Sequence, residues 1–415
     1  MVDARSLVLI SIVCLAGLSS AIARDAKLLA AAEQAKPALI ETLRDLVQIE
    51  SGSSDTAGLA RMADYLEPQL KAAGMTTERR KTVRGALADI VIGTMTGTGT
   101  KRLMLIAHMD TVYQRDILAT QPYRVDGNKI YGPGIADDKG GLAVILHALK
   151  ILQDANWRDY AKLTVVINPD EEAGSVGSGD IISEIADQHD YVLSCEPSAL
   201  RDAASNEALT LGTSGIATAI LEVKGRASHA GVAPLLGANA LVELSHQILQ
   251  TRDVAKEIPG TQLSWTVSQA GTVRNQIPEK ATAYGDIRLT VPDGLERLRS
   301  ALQAKIDSNK LVPGTEITLR LEPGRPAFVG GPASVAVAEQ AMRIYAEIDR
   351  KLDLIPMTGG GTDAAYAARN GKAVVVEGFG LGGFGYHARD EFIVTDSIVP
   401  RLYLVTRLLN ELAKK

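Results

Sequence analysis

Cysteine is nearly absent: the 415 residues contain two, Cys14 and Cys195. Cys14 lies in an N-terminal stretch laid out like a secretory signal. Arg5 precedes a mostly apolar run from Leu7 to Leu18, and Ser19-Ser20-Ala21-Ile22-Ala23 ends in an Ala-x-Ala pattern. Val13 before Cys14 does not suit a lipoprotein cleavage box, and the apolar run is too short to span a bilayer comfortably. Removal of residues 1–23 leaves Cys195 alone, so the mature chain has no internal disulfide. An uncleaved anchor is the alternative; the expectation is a periplasmic or secreted protein without a stable membrane partner. Aromatics make up only 4% of the chain, which argues against a base-stacking platform, and a net charge of −5 gives no reason to expect nucleic acid as a partner. There are no internal repeats and no low-complexity tract. What is present is an ordinary globular composition, 46% hydrophobic and 22% charged, with 38 glycines, many of them near polar motifs.

The order of elements predicts an α/β protein. Residues 26–49 and 55–74 read as helices, followed by strand candidates over 86–92 and 102–107. An apolar helix follows over 142–152, then strands over 163–167 and 191–194. Strand, polar loop and helix in repetition imply a mostly parallel sheet covered by helices on both faces. From about residue 213 the texture changes. Alternating strands over 216–223, 263–269, 281–289 and 317–321, with helices over 239–249 and 295–306, describe a compact α+β unit with a free sheet edge. From residue 334 the α/β texture returns, with a loop expected over 378–385. The simplest organisation is a catalytic domain in two parts, 24–212 and 325–415, interrupted by an inserted α+β domain over 213–324.

Polar clusters collect at the predicted strand ends. His108 and Asp110 are two apart in an extended segment and therefore point the same way. That spacing suits a metal ligand oriented by a neighbouring carboxylate. Beyond it come Asp137-Asp138-Lys139-Gly140, Asp170-Glu171-Glu172, Cys195-Glu196 and Tyr386-His387. Asp137 and Asp138 would repel in a low-dielectric loop unless a cation or a helix N-terminus offsets the charge. Of Glu171 and Glu172, one suits a metal and its neighbour the proton shuttle that metal-assisted hydrolysis requires. Six histidines occur. His147 and His246 lie in helices and read as packed or surface residues, and His189, at a polar helix end, as a solvated one. His108, His229 and His387 sit among glycine and polar residues.

The segments His108 to Asp110, Gly132 to Gly140, Asp170 to Glu172, Glu196-Pro197, Gly225 to Gly231 and Thr358 to Asp363 occur in the order found in the bacterial glutamate carboxypeptidases, which the chain resembles over essentially its whole mature length. These are folate-hydrolysing members of the dizinc aminoacylase and succinyl-diaminopimelate desuccinylase superfamily. The resemblance implies a zinc-exopeptidase type of catalytic domain and two zinc ions per chain. One ion would have His108 and Glu196, the other Glu172 and His387, with Asp137 bridging. Asp110 would orient His108, Glu171 would be the general base, and Asp138 would be structural, joined to Asp137 by a cis peptide. His229 would stabilise the oxyanion, often across a dimer formed through the inserted domain. Asn275, Arg288, Arg325 and Thr362 would bind substrate, with Arg288 on its terminal carboxylate.

The implied substrate is a small N-acyl or peptidyl glutamate such as a folate. One departure concerns the glutamate side chain. The glutamate-specific relatives carry a lysine where this chain has Ala208, and the nearest charge, Glu207, has the opposite sign. A broader N-acyl-amino-acid amidohydrolase or dipeptidase is therefore the alternative enzyme. A ligand-binding protein that kept the fold without catalysis is the non-enzymatic alternative, and it is opposed by the presence of every metal acid.

Overall fold

The computed structural model describes residues 24–83, 87–200, 206–291 and 293–414. The proposed signal segment, including Cys14, lies outside the described residues. An eight-stranded mixed sheet forms the centre. Its strands run in the order Thr76–Arg80, Ile90–Thr96, Lys162–Asn168, Arg102–His108, Tyr191–Ser194, Val374–Glu377, Glu207–Thr210, Leu352–Ile355. The central four are parallel, with His108 level with Asn168 and Ser194 beside Glu377. Their carboxyl ends therefore open at one edge of the sheet, where ligands gather in such folds. The first strand candidate is displaced from its expected range. Pairing with Lys162–Asn168 carries it through Gly93, where a Cβ would meet Met75 Sδ at 2.7 Å.

One face of the sheet is covered by the helices Ala26–Gln48, Lys139–Asp154 and Ile398–Ala413, whose apolar stripes share a core with Leu103, Leu105, Val165 and Leu193. The other face packs on Gly179–Ala186 and Ala364–Ala368. A second sheet of short strands includes Gly382–Phe384, inside the stretch expected to be a loop. This segment pairs with Phe392–Val394 and Ser198–Ala199. A Cβ at Gly383 would lie 2.6 Å from that of Ala136, so its glycine lets the strand close over the metal-side loop. His189 also differs from expectation. It is buried, with Nδ1 2.8 Å from the Ile185 carbonyl and Nε2 2.8 Å from Thr164 Oγ1, and burial lowers its pKa to about 4. A polar flank in the sequence did not reveal that the ring turns inward onto a strand.

The inserted unit is a four-stranded antiparallel sheet in the order Thr261–Ala270, Lys280–Leu289, Gly215–Lys224, Glu316–Pro323. Helices Ala240–Thr251 and Gly294–Ser308 cover one face through Leu244, Leu298, Leu302 and Ile306. Strand alternation sends Ala281, Ala283, Ile287 and Leu289 toward those helices and Arg288 toward the open face. Two linkers join the unit to the main domain. They are paired as Gly212–Thr213 against Phe328–Val329 and by Ile216 N–H on the Arg325 carbonyl at 2.8 Å.

A buried ion pair ties the central sheet to its covering helices. Arg401 is fully buried; its Nε donates to Glu207 at 2.5 Å and its Nη1 to the Gly378 carbonyl at 2.9 Å. Tyr345 donates to the same Glu207 oxygen at 2.9 Å. Arg401→Met would strand the Glu207 charge and should cost about 3–5 kcal/mol, with much of the loss recovered when Glu207→Leu is added. Chemical denaturation of the two variants checks this. A double variant as unstable as the single one would contradict it.

Candidate metal centre

Each acidic motif is delivered by a strand end. His108 closes the strand Arg102–His108, Glu171 and Glu172 follow Lys162–Asn168, and Glu196 follows Tyr191–Ser194. Asp137 comes from the loop before the helix Lys139–Asp154, and its peptide to Asp138 is cis. His387 sits in a tight turn with φ +61° beside Gly385 at +82°.

These residues form two groups that share Asp137. Asp137 Oδ1 lies 2.9 Å from His108 Nε2, and Glu196 Oε1 lies 3.7 Å from that same nitrogen. Asp137 Oδ2 lies 3.5 Å from His387 Nε2, which is 3.1 Å from Glu172 Oε2. In each group the candidate donor atoms fall within 4.8 Å of one another. One carboxylate thus turns a different oxygen toward each imidazole, the geometry of a ligand bridging two cations. The electrostatics agree. Burial raises the pKa of Glu172 and drives that of Glu196 well above its ordinary value, each reinforced by the neighbouring Asp137. His387 is pushed up to about 10 by its hydrogen bonds to Asp137 and Glu172. Four acids, counting Glu171, gather around two imidazoles, His108 buried and His387 exposed, a costly set that divalent cations would stabilise, and a donor set of nitrogen and carboxylate oxygen suits zinc. The residues present fit two zinc ions.

The supporting residues are equally specific. Asp110 is fully buried, with Oδ1 3.3 Å from His108 Nδ1. Its oxygens also accept the backbone N–H groups of Glu171 at 3.0 Å and Glu172 at 3.1 Å, so one side chain orients three members of the site. Asp138 turns away from the cluster, caps the helix through Gly141 N–H at 3.2 Å and accepts from His108 N–H at 3.3 Å.

A cleft of about 530 Å³ opens over the cluster. Its walls include Glu171, Arg288, Arg325, Thr362 and Glu377. Burial pushes the Glu171 carboxyl up to about 8 against the opposing pull of Arg325 and His108. Arg288 is half-buried, forked on Asp286 and 3.3 Å from the Gly359 carbonyl. Thr362 donates its hydroxyl to Glu377 rather than facing the cleft freely. Arg325 lines the cleft, but its terminal nitrogens are already engaged by the protein. It is buried, paired with Glu171, and its guanidinium also reaches the Glu171 and Gly361 carbonyls. His229 and Asn275 are not among the cleft residues. Both are exposed on the inserted unit, where the Asn275 carbonyl accepts Ala230 N–H at 2.9 Å. His229 Nδ1 accepts two backbone N–H groups at 3.1 Å, which leaves Nε2 to carry the ring proton as an outward donor.

Glu377 and Glu391 did not emerge from the sequence. Glu377 closes an apolar strand and reads as its polar cap. Glu391 follows Arg389-Asp390 and reads as part of a solvated charge run. It is instead fully buried. Its carboxylate accepts the N–H groups of Gly134 at 2.9 Å, Ala136 at 2.8 Å and Asp137 at 3.0 Å, and the Tyr113 hydroxyl at 2.7 Å. Glu391 therefore holds the loop that presents Asp137. Glu391→Gln replaces one acceptor oxygen by a donor facing those N–H groups. It should weaken zinc binding by about 10–100-fold, measured by competition with a chelator, and unchanged affinity would remove this role.

The chain is similar to known proteins in sequence and fold. The model of Peptidase family M20/M25/M40 matches residues 104–411. Carboxypeptidase G2 of Pseudomonas sp. (strain RS-16) is 44% identical over 398 residues, 96% of this chain and 94% of its own. A succinyl-diaminopimelate desuccinylase of Xanthomonas oryzae is 28% identical, covering 88% of this chain and 98% of its own. Among solved structures, a tripeptidase of Staphylococcus aureus has the same fold at 20% identity, with a TM-score of 0.76 over 92% of this chain and 99% of its own. The family match runs from the strand that ends in His108, through the inserted unit, to the last helix, and so takes in every residue of the two metal groups: the chain belongs to peptidase family M20/M25/M40.

Proposed function

We propose that the protein is a dizinc carboxypeptidase that releases a C-terminal amino acid, preferably glutamate, from folates and related N-acyl or peptidyl substrates. The observation that carries this reading is the double-faced Asp137 cluster at the floor of a cleft walled by Arg288, in a chain 44% identical to a carboxypeptidase. When bound, the zinc ions would polarise the scissile carbonyl and acidify water. Glu171 takes a proton from the attacking water and returns it to the leaving nitrogen. Arg288 holds the free α-carboxylate as a bidentate partner. The partner subunit's His229 offers Nε2–H to the developing oxyanion.

A panel with one aromatic acyl group and glutamate, aspartate, alanine or leucine as the released residue tests the assignment. Glutamate should lead by about tenfold or more, roughly 1.4 kcal/mol, and a blocked α-carboxylate should be a very poor substrate. Glu171→Gln should keep both zinc ions and lose at least about 10²-fold in turnover. Faster release of alanine or leucine would favour the broader amidohydrolase. Ala208 gives that alternative a structural basis: it shares a strand face with Thr210, which lines the cleft, and it brings no cation there.

The same reading assigns the protein to the periplasm or exterior as a homodimer. Export is supported by the composition of residues 1–23. Dimerisation is supported by apolar side chains on the inserted unit: Leu235 is 95% exposed and Val232 83%, with Leu236, Leu241, Val242 and Leu249 exposed on the same unit. It is supported too by the absence of His229 from the lining of its own chain's cleft. Sedimentation of the exported protein, with its intact mass, should give a dimer of chains beginning at Arg24. A fully active monomer would remove His229 from the reaction.

A further inference from the structure

Arg325 stands where the second linker re-enters the main domain, and the main chain there is held closely. Ile216 N–H donates to the Arg325 carbonyl at 2.8 Å and Gly324 N–H to the Ile216 carbonyl at 3.0 Å. Ser214 N–H donates to the Gly360 carbonyl at 2.8 Å, so the glycine-rich turn lies against the same hinge. Contact is tight enough that a Cβ at Gly361 would lie 2.9 Å from the Ser214 carbonyl oxygen and 3.2 Å from Arg325 Cδ.

From this anchor the side chain runs inward to Glu171. One terminal nitrogen, Nη1, reaches Glu171 Oε1 and the Gly361 carbonyl. The other, Nη2, reaches the Glu171 carbonyl and lies 3.3 Å from Ser175 Oγ. A guanidinium has five N–H donors. The contacts occupy both terminal nitrogens, leaving Nε as the buried donor without a partner among the described residues. A bidentate grip on a substrate carboxylate needs two adjacent donors, and this side chain has one to offer. Its contacts instead pin Glu171 at two points, the carboxylate and the carbonyl of the same residue. The neighbouring turn is fixed independently: Asp363 accepts from Ser175 Oγ, and from Asn168 Nδ2 at 2.6 Å.

We propose that Arg325 is a positioning residue that fixes Glu171 from the interdomain hinge, rather than a reader of the substrate's side chain. This rests on Glu171 being the base in the reaction proposed above. The arginine holds the carboxylate at one orientation over the cleft and keeps its residue from rotating about the strand end.

The test uses zinc-loaded enzyme, the variants Arg325→Met and Arg325→Lys, and two substrates that share an acyl group and end in glutamate or alanine. Arg325→Met should lower kcat by about 10²-fold on both substrates by the same factor, with KM changed by less than about threefold and two zinc ions retained. Arg325→Lys should recover about tenfold of the loss, because an ammonium can still reach Glu171 but cannot hold two points at once. In a Glu171→Gln background, Arg325→Met should cost little more, since a residue acting through Glu171 has nothing left to position. A selective rise in KM for the glutamate substrate, an unchanged kcat, or a fully additive loss in the double variant would each overturn the proposal. Should Arg325→Met fail to fold, the Lys variant alone decides, by whether its loss is in kcat on both substrates or in KM on one. A wrong assignment of the reaction would show in the wild-type enzyme's own preference between the substrates. Variant-to-wild-type ratios on whichever substrate the wild type cleaves keep the role of Arg325 separate from that assignment.

Discussion

Everything in the site depends on one carboxylate facing two ways. Asp137 turns Oδ1 to His108 and Oδ2 to His387, and the rest of the arrangement keeps it there. A loop residue would not hold such an orientation unaided, because its backbone is free of the sheet's hydrogen bonds. Glu391 supplies what the sheet does not, by accepting the N–H groups of Gly134, Ala136 and Asp137 in that loop. Lys139, buried one residue past Asp138, donates to the Pro133 carbonyl at 3.0 Å and the Ile49 carbonyl at 3.2 Å, which closes the loop from the other side. The loop is thus held at both ends by charged groups taken out of water, and such groups destabilise unless satisfied. A fully bonded set tolerates little movement, and a bridging ligand needs that rigidity.

The same logic extends outward in layers. Asp110 carries the orientation of His108 to the Glu171-Glu172 turn, Asp363 and Ser175 brace that turn, and Thr362 is tied to Glu377. None of these braces need touch substrate to affect turnover. They convert the parallel sheet, which fixes only where strands end, into a site where individual oxygens have fixed directions. The buried carboxyls show the electrostatic strain in this construction. Burial lifts Glu377 and Glu391 each to about 7, well above an ordinary carboxyl.

The strands and ligands were legible because they obey short periods. Alternation put His108 with Asp110, and apolar runs followed by acids marked the ends of Lys162–Asn168 and Tyr191–Ser194. The change of texture at residue 213 was visible for the same reason, since half-exposed antiparallel strands alternate where buried parallel ones do not. What escaped were charged residues whose burial depends on distant partners. Glu391 meets a loop some 255 residues earlier in the chain, and Arg401 meets Glu207 across 194. Glu391 follows Arg389-Asp390 and Glu207 follows Asn206, so each resembles a solvated side chain locally, while Arg401 stands alone between Pro400 and Leu402. His189 escaped by the same mechanism, through Thr164 on a neighbouring strand. Arg325 was seen as functional, but which partner takes its donors is a property of the folded hinge and not of Gly324-Arg325-Pro326.

That hinge changes how the two cleft arginines divide their work. Arg288 lies on the helix-free face of the inserted sheet, half-buried, and its partners are Asp286 beside it and one backbone carbonyl across the cleft. An incoming carboxylate can compete for donors held in such an exposed pair, because water already screens it. Arg325 is held by a buried carboxylate and two carbonyls, and displacing it would take their donor from three acceptors at once. Two arginines of one sign in one cleft are therefore unequal: the outer one is free to exchange partners with substrate, while the inner one belongs to the protein. With Arg288 proposed as the partner of the terminal carboxylate, Arg325 engaged by the protein and Ala208 carrying no charge, little is left to grip a side-chain carboxylate directly. Any glutamate preference then comes from cleft shape as much as from an opposing charge.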